Sequence, residues 1–423
     1  MNNPRFYRWY ALLILTFVYV SNIADRYVIS TLIEPIKTDL KLNDTAIGFL
    51  TGTALAIFYT GMGIPLGLMA DRVNRRNLVA FATVLWSAMT AACGAANTFL
   101  QLLLARIGVG VGEAGGTPAS QSMISDFFPF NQRALATSIY ALGAAAGSMI
   151  GSIVGGAISD VFGWRSAFVA LAIPGAVLAL LVRLTLTEPA RGAFDTSRKA
   201  INSPSLKETL QFIRVQPSLL HVLAGSTVAV FWGWGLLWWT PAFLARSYGM
   251  STSGAGGLIG MISGIGGTAG IILGAVLTQK LALKDPRWQP WIAAAATVLG
   301  TFASMGAYSC RSLSITTRML WLFVPVAYLN IAPSFALTQS LVPPRMRGLA
   351  CAVMLFGANV ANLAIAPQLI GIASDVLRIH YGAGRESLRY ALMGTALSGF
   401  WAAYHFWAAG RYMRDGLRRA GTT

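Results

Sequence analysis

Long apolar runs dominate this chain, and they limit it to folds that a lipid bilayer can surround. Twelve runs are separated by short loops with charged residues, Pro or Gly, and each is long enough for a membrane-spanning helix of about 20 residues. Their approximate limits are 9–33, 45–70, 77–97, 99–125, 132–159, 164–187, 216–245, 253–281, 288–308, 316–341, 347–374 and 388–412. Because backbone polar groups find no water in lipid, such runs predict helices. The sequence therefore predicts an all-α membrane protein with twelve transmembrane helices.

Composition excludes the other broad classes of protein. The chain is 55% hydrophobic and 11% charged, whereas a soluble domain carries about 25% charged residues. This excludes a water-soluble enzyme, a nucleic-acid-binding module and a disordered protein. The cysteines and histidines are scattered without metal-ligand spacing, no span holds a nucleophile–base pair, and no G-x-x-x-x-G-K-[ST] loop occurs. We expect no enzymatic activity, no catalytic residue, no metal and no cofactor.

Basic residues predict how the chain crosses the membrane. The net charge is +17, and one set of loops carries more than twice as many Lys and Arg residues as the opposite set. The richer set includes both termini and the long middle loop, so the positive-inside rule predicts that these are cytoplasmic. Short loops without a targeting extension predict a monomeric, multi-pass protein of the cell membrane, most simply a bacterial inner membrane.

One long polar stretch, from about Thr187 to Gln216, divides the chain into two sets of six runs. It predicts an amino-terminal bundle over 1–187, a cytoplasmic linker over 188–215, and a carboxy-terminal bundle with a short tail over 216–423. Within the linker, SLKETLQFIR (205–214) is either an amphipathic helix at the membrane interface or a solvated connection.

The two halves repeat one design. SDFFPFNQRALA (125–136) is similar to SLVPPRMRGLA (340–350), GGAISD (155–160) is similar to IGIASD (370–375), and Pro118 matches Pro333. These matches at nearly one offset indicate internal duplication and two pseudo-symmetric bundles. Transporters built from repeats bind their substrate near the membrane midplane and alternate access by rocking one half against the other. The pattern favours a secondary transporter.

Four ionisable residues lie inside predicted spans, Asp25 and Arg26 in span one and Arg106 and Glu113 in span four. Each costs roughly 2.5 to 3.5 kcal/mol at mid-helix, so the four must face one another or a wet cavity. Asn22 shares a helix face with Asp25 and Arg26. Either the cluster is a static ion-pair network, or the acids exchange a proton while an arginine binds an anionic head group. We take Asp25 and Glu113 as candidate proton-coupling residues.

The loop GLMADRVNRRNL (67–78), between spans two and three, resembles the loop signature of the major facilitator superfamily, G-x-L-x-D-R-x-G-R-R, with Asn74 at the usual second glycine. The resemblance implies the major facilitator fold, in which spans one and four are neighbours. It also implies a cytoplasmic latch in which Asp71 accepts hydrogen bonds, whereas Arg75 and Arg76 either take part or only set topology. The candidate gating residues are Gly67, Asp71, Arg72, Arg75, Arg76 and Arg133.

Within that superfamily the chain resembles the spinster family of lysolipid and sphingolipid transporters. The resemblance rests on SNIADRY (21–27), RIGVGVGEAGGTPASQSMISDFFP (106–129), RALATSIYALG (133–143), FGWRSAF (162–168), TEPARG (187–192) and SLRYAL (387–392). It implies a lysophospholipid or sphingoid-like substrate, moved on an ion gradient that is most simply a proton gradient.

The second half carries no charges at the corresponding positions. Its spans instead hold polar and aromatic side chains, and span seven combines tryptophans with glycines and Pro241, which favours either a bendable gate or an interfacial aromatic belt. One wall charged and one wall apolar would suit an amphiphile. The candidate substrate-binding residues are Asn22, Arg26, Tyr59, Arg106, Trp232, Trp234, Trp238, Tyr328, Asn330, Ser334 and Thr338.

Glycines recur every fourth residue on two spans, at Gly143, Gly147, Gly151 and Gly155 of span five and at Gly256, Gly260 and Gly264 of span eight. Small residues allow close packing of helices. Because spans five and eight are neighbours in the major facilitator fold, we expect the two ladders to face each other.

Two further functions stay open. One is a proton-coupled symporter of small organic anions or sugars, since an Asp-Arg pair in span one also occurs in organic-anion symporters. The other, of a different class, is a receptor or scaffold that transports nothing, although a receptor has no need of charges inside its spans.

Overall fold

The computed structural model describes residues 4–70, 72–193 and 204–421. Within these ranges the backbone is almost entirely helical and contains no β-strand. The α-helices are α1 (Pro4–Thr31), α2 (Ile33–Asp39), α3 (Asp44–Gly48), α4 (Ala54–Ala70), α5 (Arg75–Gly94), α6 (Phe99–Phe127), α7 (Phe130–Phe162), α8 (Trp164–Thr185), α9 (Leu206–Arg214), α10 (Pro217–Tyr248), α11 (Thr252–Met261), α12 (Gly267–Ala282), α13 (Trp288–Ser309), α14 (Leu313–Leu329), α15 (Ile331–Ser340), α16 (Arg347–Asn359), α17 (Ala366–His380), α18 (Ser387–Ala396), α19 (Ser398–Arg411) and α20 (Met413–Ala420).

Each of the twelve predicted spans corresponds to helical structure. In the described part of the chain, nine helical stretches are long and apolar enough to cross a membrane. The other three predicted spans correspond to the shorter apolar helix that begins at Asp44, to α6, and to α18 together with α19. The prediction of an all-α membrane protein is confirmed.

Wide π-helical turns interrupt three of the spans within the described residues. They lie at Phe49–Thr53, Ile262–Gly266 and Val360–Ile365. The turns at Phe49 and Ile262 begin 213 residues apart, close to the offset of the sequence repeats. Because π turns are rare, their recurrence in spans two and eight supports the internal duplication.

Short polar residues begin several helices. A side-chain oxygen accepts a hydrogen bond from the backbone N–H three residues further on at Asn43, Asn74, Thr98, Ser205 and Ser251. Each bond satisfies one of the N–H groups that the first helical turn leaves without a partner. These residues fix where the helices start, including α6, which carries part of the charged cluster.

Contacts between helices divide the chain into two compact units. Unit 1 comprises Met1–Arg198 and Leu244–Gly264, and unit 2 comprises Lys199–Phe243 and Ile265–Thr423. The end of α10 and all of α11 therefore belong to unit 1, although they follow the linker in the sequence. The boundaries at 187 and 216 remain a prediction from the sequence.

In unit 1 the glycine ladder of α7 lies against α1. A Cβ on Gly151 would lie 2.4 Å from the backbone oxygen of Ala24, and a Cβ on Gly147 would lie 2.6 Å from that of Val20. A contact this close to backbone cannot be relieved by a side-chain movement. The ladder therefore lets two membrane helices approach each other closely.

The expectation that the two glycine ladders face each other is wrong for span five. On α11, Gly256 and Gly260 do contact α7, where a Cβ on Gly256 would lie 2.3 Å from the backbone oxygen of Ser152. Ser152 and Met149 lie on a different side of α7 from Gly151. The reason is physical: a helix in a bundle has more than one packed face, and a spacing of four residues does not identify the neighbour.

A buried charge network joins three elements of unit 1. Asp44 is fully buried and accepts hydrogen bonds from both terminal nitrogens of Arg246, at 2.7 and 2.6 Å. Arg246 also donates from Nε to Glu34 at 2.7 Å, and Lys37 pairs with Asp44 at 2.5 Å. Because removing one partner from a buried ion pair leaves a costly uncompensated charge, the network fixes the end of α10 to α2 and α3.

We predict that Gly151→Ala lowers the stability of the protein by about 1 to 3 kcal/mol, because the new methyl group forces α7 away from α1. A fall in the midpoint of thermal unfolding of the purified protein would measure it. Gly257→Ala is the matched control, since nothing lies within 4 Å of a Cβ at that position in α11. An equal effect of both substitutions would contradict the packing argument.

Candidate functional site

The charged residues inside the predicted spans meet in unit 1. Arg26 on α1 donates from Nε to Oε2 of Glu113 on α6 at 2.6 Å, and the Glu113 side chain is fully buried. The guanidinium of Arg26 also lies over the ring of Tyr59, 4.4 Å from its centroid. A cation over an aromatic face is attracted by the ring quadrupole. With 15% of its side chain exposed, Arg26 remains partly accessible between these two partners.

Asp25 and Arg106 are buried beside this pair, but no ion pair joins them. Oδ2 of Asp25 accepts a hydrogen bond from the Thr90 hydroxyl at 3.2 Å, and Nη1 of Arg106 donates to the backbone oxygen of Asp25 at 3.4 Å. Among the described residues, no hydrogen-bond partner lies at Oδ1 of Asp25 or at Nε and Nη2 of Arg106. Buried polar atoms are nearly always paired. Unpaired atoms of both signs therefore mark this place as one that can receive water, a proton or a ligand.

Asn22 and Glu113 extend the same cluster. Asn22 is 3% exposed, and neither its Oδ1 nor Oε1 of Glu113 has a hydrogen-bond partner in the described part of the chain. Asn22, Asp25 and Arg26 lie on one face of α1, as their spacing predicts. The structure thus brings together all four charges and both neutral residues, Asn22 and Tyr59, that the sequence analysis assigned to the first half.

Unit 2 contains a cavity of about 210 Å³ between α10, α14, α15 and α16. Its walls are mostly apolar, with a few amide and hydroxyl groups, which is typical of a small-molecule site. The lining residues are Ser226, Ala229, Val230, Trp234, Ala327, Asn330, Ile331, Ser334, Phe335, Met354, Leu355, Ala358 and Asn359.

Unpaired polar atoms also occur on residues that line this cavity. Asn330 is 4% exposed and donates from Nδ2 to the Thr297 hydroxyl at 2.9 Å, which leaves its Oδ1 without a partner among the described residues. Ser226 is 3% exposed, and its Oγ likewise has no hydrogen-bond partner among the described residues. A ligand with a hydroxyl or amide N–H could satisfy these acceptors, whereas an anion would find no cation in this lining.

The candidate residues of the second half fall into two groups. Trp234, Asn330 and Ser334 line the cavity, and Tyr328 packs against Trp234 with 4.8 Å between ring centroids. The other three lie in the interior of the described unit 2 and outside the cavity lining: Trp232, Trp238 and Thr338.

Those interior residues have structural partners. The indole N–H of Trp232 donates to the Ser304 hydroxyl at 3.3 Å, and a Cβ on Gly300 would lie 2.6 Å from the Trp232 ring. Thr338 donates to the backbone oxygen of Ser334 at 2.8 Å. These contacts hold α10 against α13 and shape the helix that carries Ser334.

One buried arginine anchors the loop between α4 and α5 through hydrogen bonds. Arg75, 1% exposed, donates from Nη1 to Asp126 at 2.5 Å and from Nε to Glu188 at 2.7 Å. Its Nη2 donates to the backbone oxygen of Pro189 at 2.9 Å. A topology signal alone does not require burial, so Arg75 also connects the loop to the end of α6 and to the chain after α8.

The other candidate gating residues differ in their surroundings. The backbone N–H of Arg76 donates to Glu188 at 3.0 Å, and Nε of Arg133 donates to the backbone oxygen of Phe128 at 3.1 Å. Arg72 is exposed, and Gly67 lies in α4. Asp71 lies outside the described residues.

Sequence reasoning missed several residues of these sites. Asp126 and Glu188 lie far from Arg75 in the chain, so no spacing in the sequence predicts that they pair with it. Phe335 and Met354 line the cavity, but in an apolar span nothing distinguishes an apolar side chain at a cavity wall from one that faces lipid. The amide of Asn359 inside its apolar span is the signal that could have found the third lining residue.

Comparison with known proteins identifies the class. The sequence model of the Major Facilitator Superfamily matches residues 15–367, so the chain belongs to that superfamily and is a secondary transporter with a small-molecule substrate. Its relatives include spinster proteins: it is 28% identical to protein spinster homolog 1 of Mus musculus, over 96% of this chain and 81% of the relative.

Two further relatives and one solved structure bear on the family. The chain is 33% identical to an MFS-type efflux pump of Mycolicibacterium smegmatis, over 97% of this chain and 95% of the pump. It is 26% identical to the sphingosine-1-phosphate transporter SPNS2 of Danio rerio, over 90% and 79% of the two chains. A bacterial homolog of the human lysosomal transporter Spinster, solved in an inward-facing and unoccupied conformation, has a TM-score of 0.88 at 28% identity and covers 97% of this chain and 98% of that chain. The predicted fold and family are confirmed.

We predict that Arg75→Leu destabilises the protein by about 3 kcal/mol, because Asp126 and Glu188 lose the cation that pairs with both of them. The midpoint of thermal unfolding would fall accordingly. Arg72→Leu is the control in the same loop, and at this exposed position we expect a change within about 0.5 kcal/mol. If Arg75→Leu were as stable as the control, Arg75 would act only on topology.

Proposed function

We propose that this transporter moves an amphiphile with an anionic head group, such as a lysophospholipid or a phosphorylated sphingoid base, coupled to protons. The observation that carries the proposal is the partly exposed Arg26 inside a cluster that is otherwise buried. The sphingosine-1-phosphate transporter among the relatives supports this class of substrate.

The head group would bind to Arg26. A guanidinium presents a planar set of donors that fits a phosphate or carboxylate through two hydrogen bonds. One of these donors, Nε, is used by Glu113. Arg106, with two unpaired nitrogens, is the second cation that a head group could reach after a rearrangement.

Glu113 would make this binding depend on protons. As a carboxylate it occupies Arg26 at 2.6 Å and competes with an anionic head group. Protonation removes its charge and releases the arginine, so proton and substrate bind together. Asp25 would be the second proton acceptor, because its buried carboxyl has a hydroxyl partner and no ion pair, and an uncharged acid costs much less to bury.

Within unit 2, the cavity would accept apolar groups of a substrate. A volume of about 210 Å³ accommodates part of an alkyl chain, and Trp234, Phe335 and Met354 supply apolar surface. Each methylene group transferred from water into such a cavity contributes about 0.8 kcal/mol.

Alternating access would be controlled at the loop between α4 and α5. The gating residues are Arg75, held by Asp126 and Glu188, together with Gly67, Asp71, Arg72, Arg76 and Arg133. An ion-pair network of this kind can stabilise one conformation of the transporter. Its ion pairs would break when the transporter changes to the other conformation. We infer that the protein acts as a monomer in the bacterial inner membrane with both termini cytoplasmic, which the distribution of Lys and Arg supports.

A second candidate function is efflux of an apolar or amphiphilic compound. The 33% identity to an MFS-type efflux pump favours it, as does the mainly apolar lining of the cavity. The two candidates differ in one respect. In a proton-driven exporter the proton and the substrate exclude each other, whereas release of Arg26 by protonated Glu113 makes them bind together.

We predict that an anionic lysolipid binds the wild-type protein more tightly as the pH falls, by up to about tenfold per pH unit for one linked proton. Glu113→Gln should bind tightly at every pH, because the amide leaves Arg26 available, and should lose accumulation driven by a pH gradient in proteoliposomes. Glu386→Gln, at an ion-paired glutamate outside the site, is the control. Wild-type binding that weakens as the pH falls would favour the exporter, and a pH dependence of binding by Glu113→Gln equal to that of the wild type would contradict the role of Glu113.

We predict that Met354→Trp weakens lysolipid binding about tenfold. Excluding two methylene groups from the cavity costs about 1.6 kcal/mol. Phe356→Trp on the same helix is the control, because Phe356 is 57% exposed and does not line the cavity. Binding of lysolipids with different chain lengths to the purified proteins measures the effect, and equal affinity of both variants would remove the cavity from the proposal.

A further inference from the structure

Two short helices lie together at one end of unit 2. α9 immediately precedes the span α10, and α20 immediately follows the span α19. Arg419 on α20 donates to the backbone oxygen of Val215 at 2.7 Å, and Gln216 donates to the backbone oxygen of Gly416 at 3.2 Å. Because each helix adjoins the end of a membrane span, both lie at the level where a bilayer has its head groups.

The inner faces of the two helices are fixed to the unit. Ile213 of α9 and Met413 and Leu417 of α20 are buried in one apolar cluster with residues of α15 and α16. Glu208 accepts a hydrogen bond from Arg345 at 2.7 Å. The linker segment 206–214 is therefore an ordered amphipathic helix.

α20 is held by an aspartate in the loop after α12. Asp285 accepts hydrogen bonds from Arg287 and, at 2.8 Å, from Arg414. The hydrogen bonds from Arg287 hold the pKa of Asp285 well below its usual range. This contribution to stability is fully present above about pH 4, the ordinary pKa of Asp, and is lost as the pH falls below it. At neutral pH the contact is intact.

The outer face of α9 combines leucines with cations. Leu206, Leu210 and Arg214 follow one another at intervals of four residues and so run along one face, with Lys207 beside them. Leu206 is 55% exposed and Leu210 is 45% exposed. Exposed leucines next to a row of basic residues are typical of a helix that lies in the membrane interface.

The charge on this surface is strongly positive. Lys207, Arg214, Arg411, Arg418 and Arg419 are exposed there. Of the acids on the two helices, Glu208 already pairs with Arg345, and Asp415 is the other. A partner that complements this surface therefore carries negative charge beside apolar groups, which is the chemistry of an anionic phospholipid at a bilayer surface.

We propose that this α9–α20 surface binds the head groups of anionic phospholipids, with Leu206 and Leu210 in the upper part of the acyl layer and Lys207 and Arg214 on the phosphates. The site is independent of the transport site, because none of these residues belongs to the charged cluster or the cavity. Anionic lipid would hold the linker and the carboxy-terminal helix against the membrane.

The test uses the full chain in nanodiscs of phosphatidylcholine with or without phosphatidylglycerol. A fluorophore is attached at Leu210→Cys after replacement of Cys93, Cys310 and Cys351, and one of the two lipids carries a spin label that quenches it. We expect stronger quenching when phosphatidylglycerol carries the spin label. The double variant Lys207→Gln/Arg214→Gln should reduce this preference on the order of tenfold, since each cation near an anionic surface contributes about fivefold.

Arg311→Gln/Arg318→Gln removes the same charge from exposed positions outside α9 and α20 and serves as the control. The thermal unfolding midpoint in detergent verifies that all variants fold. Equal quenching by both lipids, equal effects of both double variants, or quenching only by a water-soluble agent would overturn the proposal. If the fluorophore is shielded from quenching to an extent that depends on protein density and not on lipid charge, the surface binds a second copy of the chain instead.

Discussion

Burying an arginine inside a membrane bundle is costly, and pairing with a carboxylate offsets part of this cost. The pair of Arg26 and Glu113 joins α1 to α6 at 2.6 Å. Its rupture would leave an uncompensated charge that costs about 3 to 5 kcal/mol. The neighbouring Asp25 and Arg106 have no such pair. Only part of the cluster is therefore paired. The Arg26–Glu113 pair holds α1 and α6 together, whereas buried polar atoms of Asp25 and Arg106 have no hydrogen-bond partner among the described residues.

The two units differ in the chemistry of their interiors. Unit 1 has a cluster of buried charges, and in this cluster the partly exposed Arg26 lies over Tyr59. The cavity of unit 2 has no charged residue in its lining, and among the described residues its buried polar atoms without a hydrogen-bond partner are Oδ1 of Asn330 and Oγ of Ser226. Duplication therefore preserved the fold, including the π turns of spans two and eight, while the side chains in the two copies diverged in chemistry.

The sequence predicts well those structural features that the lipid bilayer requires. Spans and the charged cluster follow from the cost of exposing polar groups to lipid, and both are present. Contacts between particular partners do not follow, because one helix offers several faces: the ladder around Gly151 packs on α1, and Arg75 is buried against Asp126. The sequence also does not predict the cavity wall at Met354, because an apolar span has the same pattern of residues whether it faces a cavity, a helix or lipid.

The placement of Leu244–Gly264 in unit 1 has a consequence for how the chain can be divided. Cleavage in the linker would put Arg246 on one fragment and its acceptors Glu34 and Asp44 on the other. An isolated amino-terminal fragment would bury Asp44 without Arg246, and it would lack α11 beside α7. The amino-terminal half of the sequence is therefore not autonomous, because a segment of the carboxy-terminal half completes its interior.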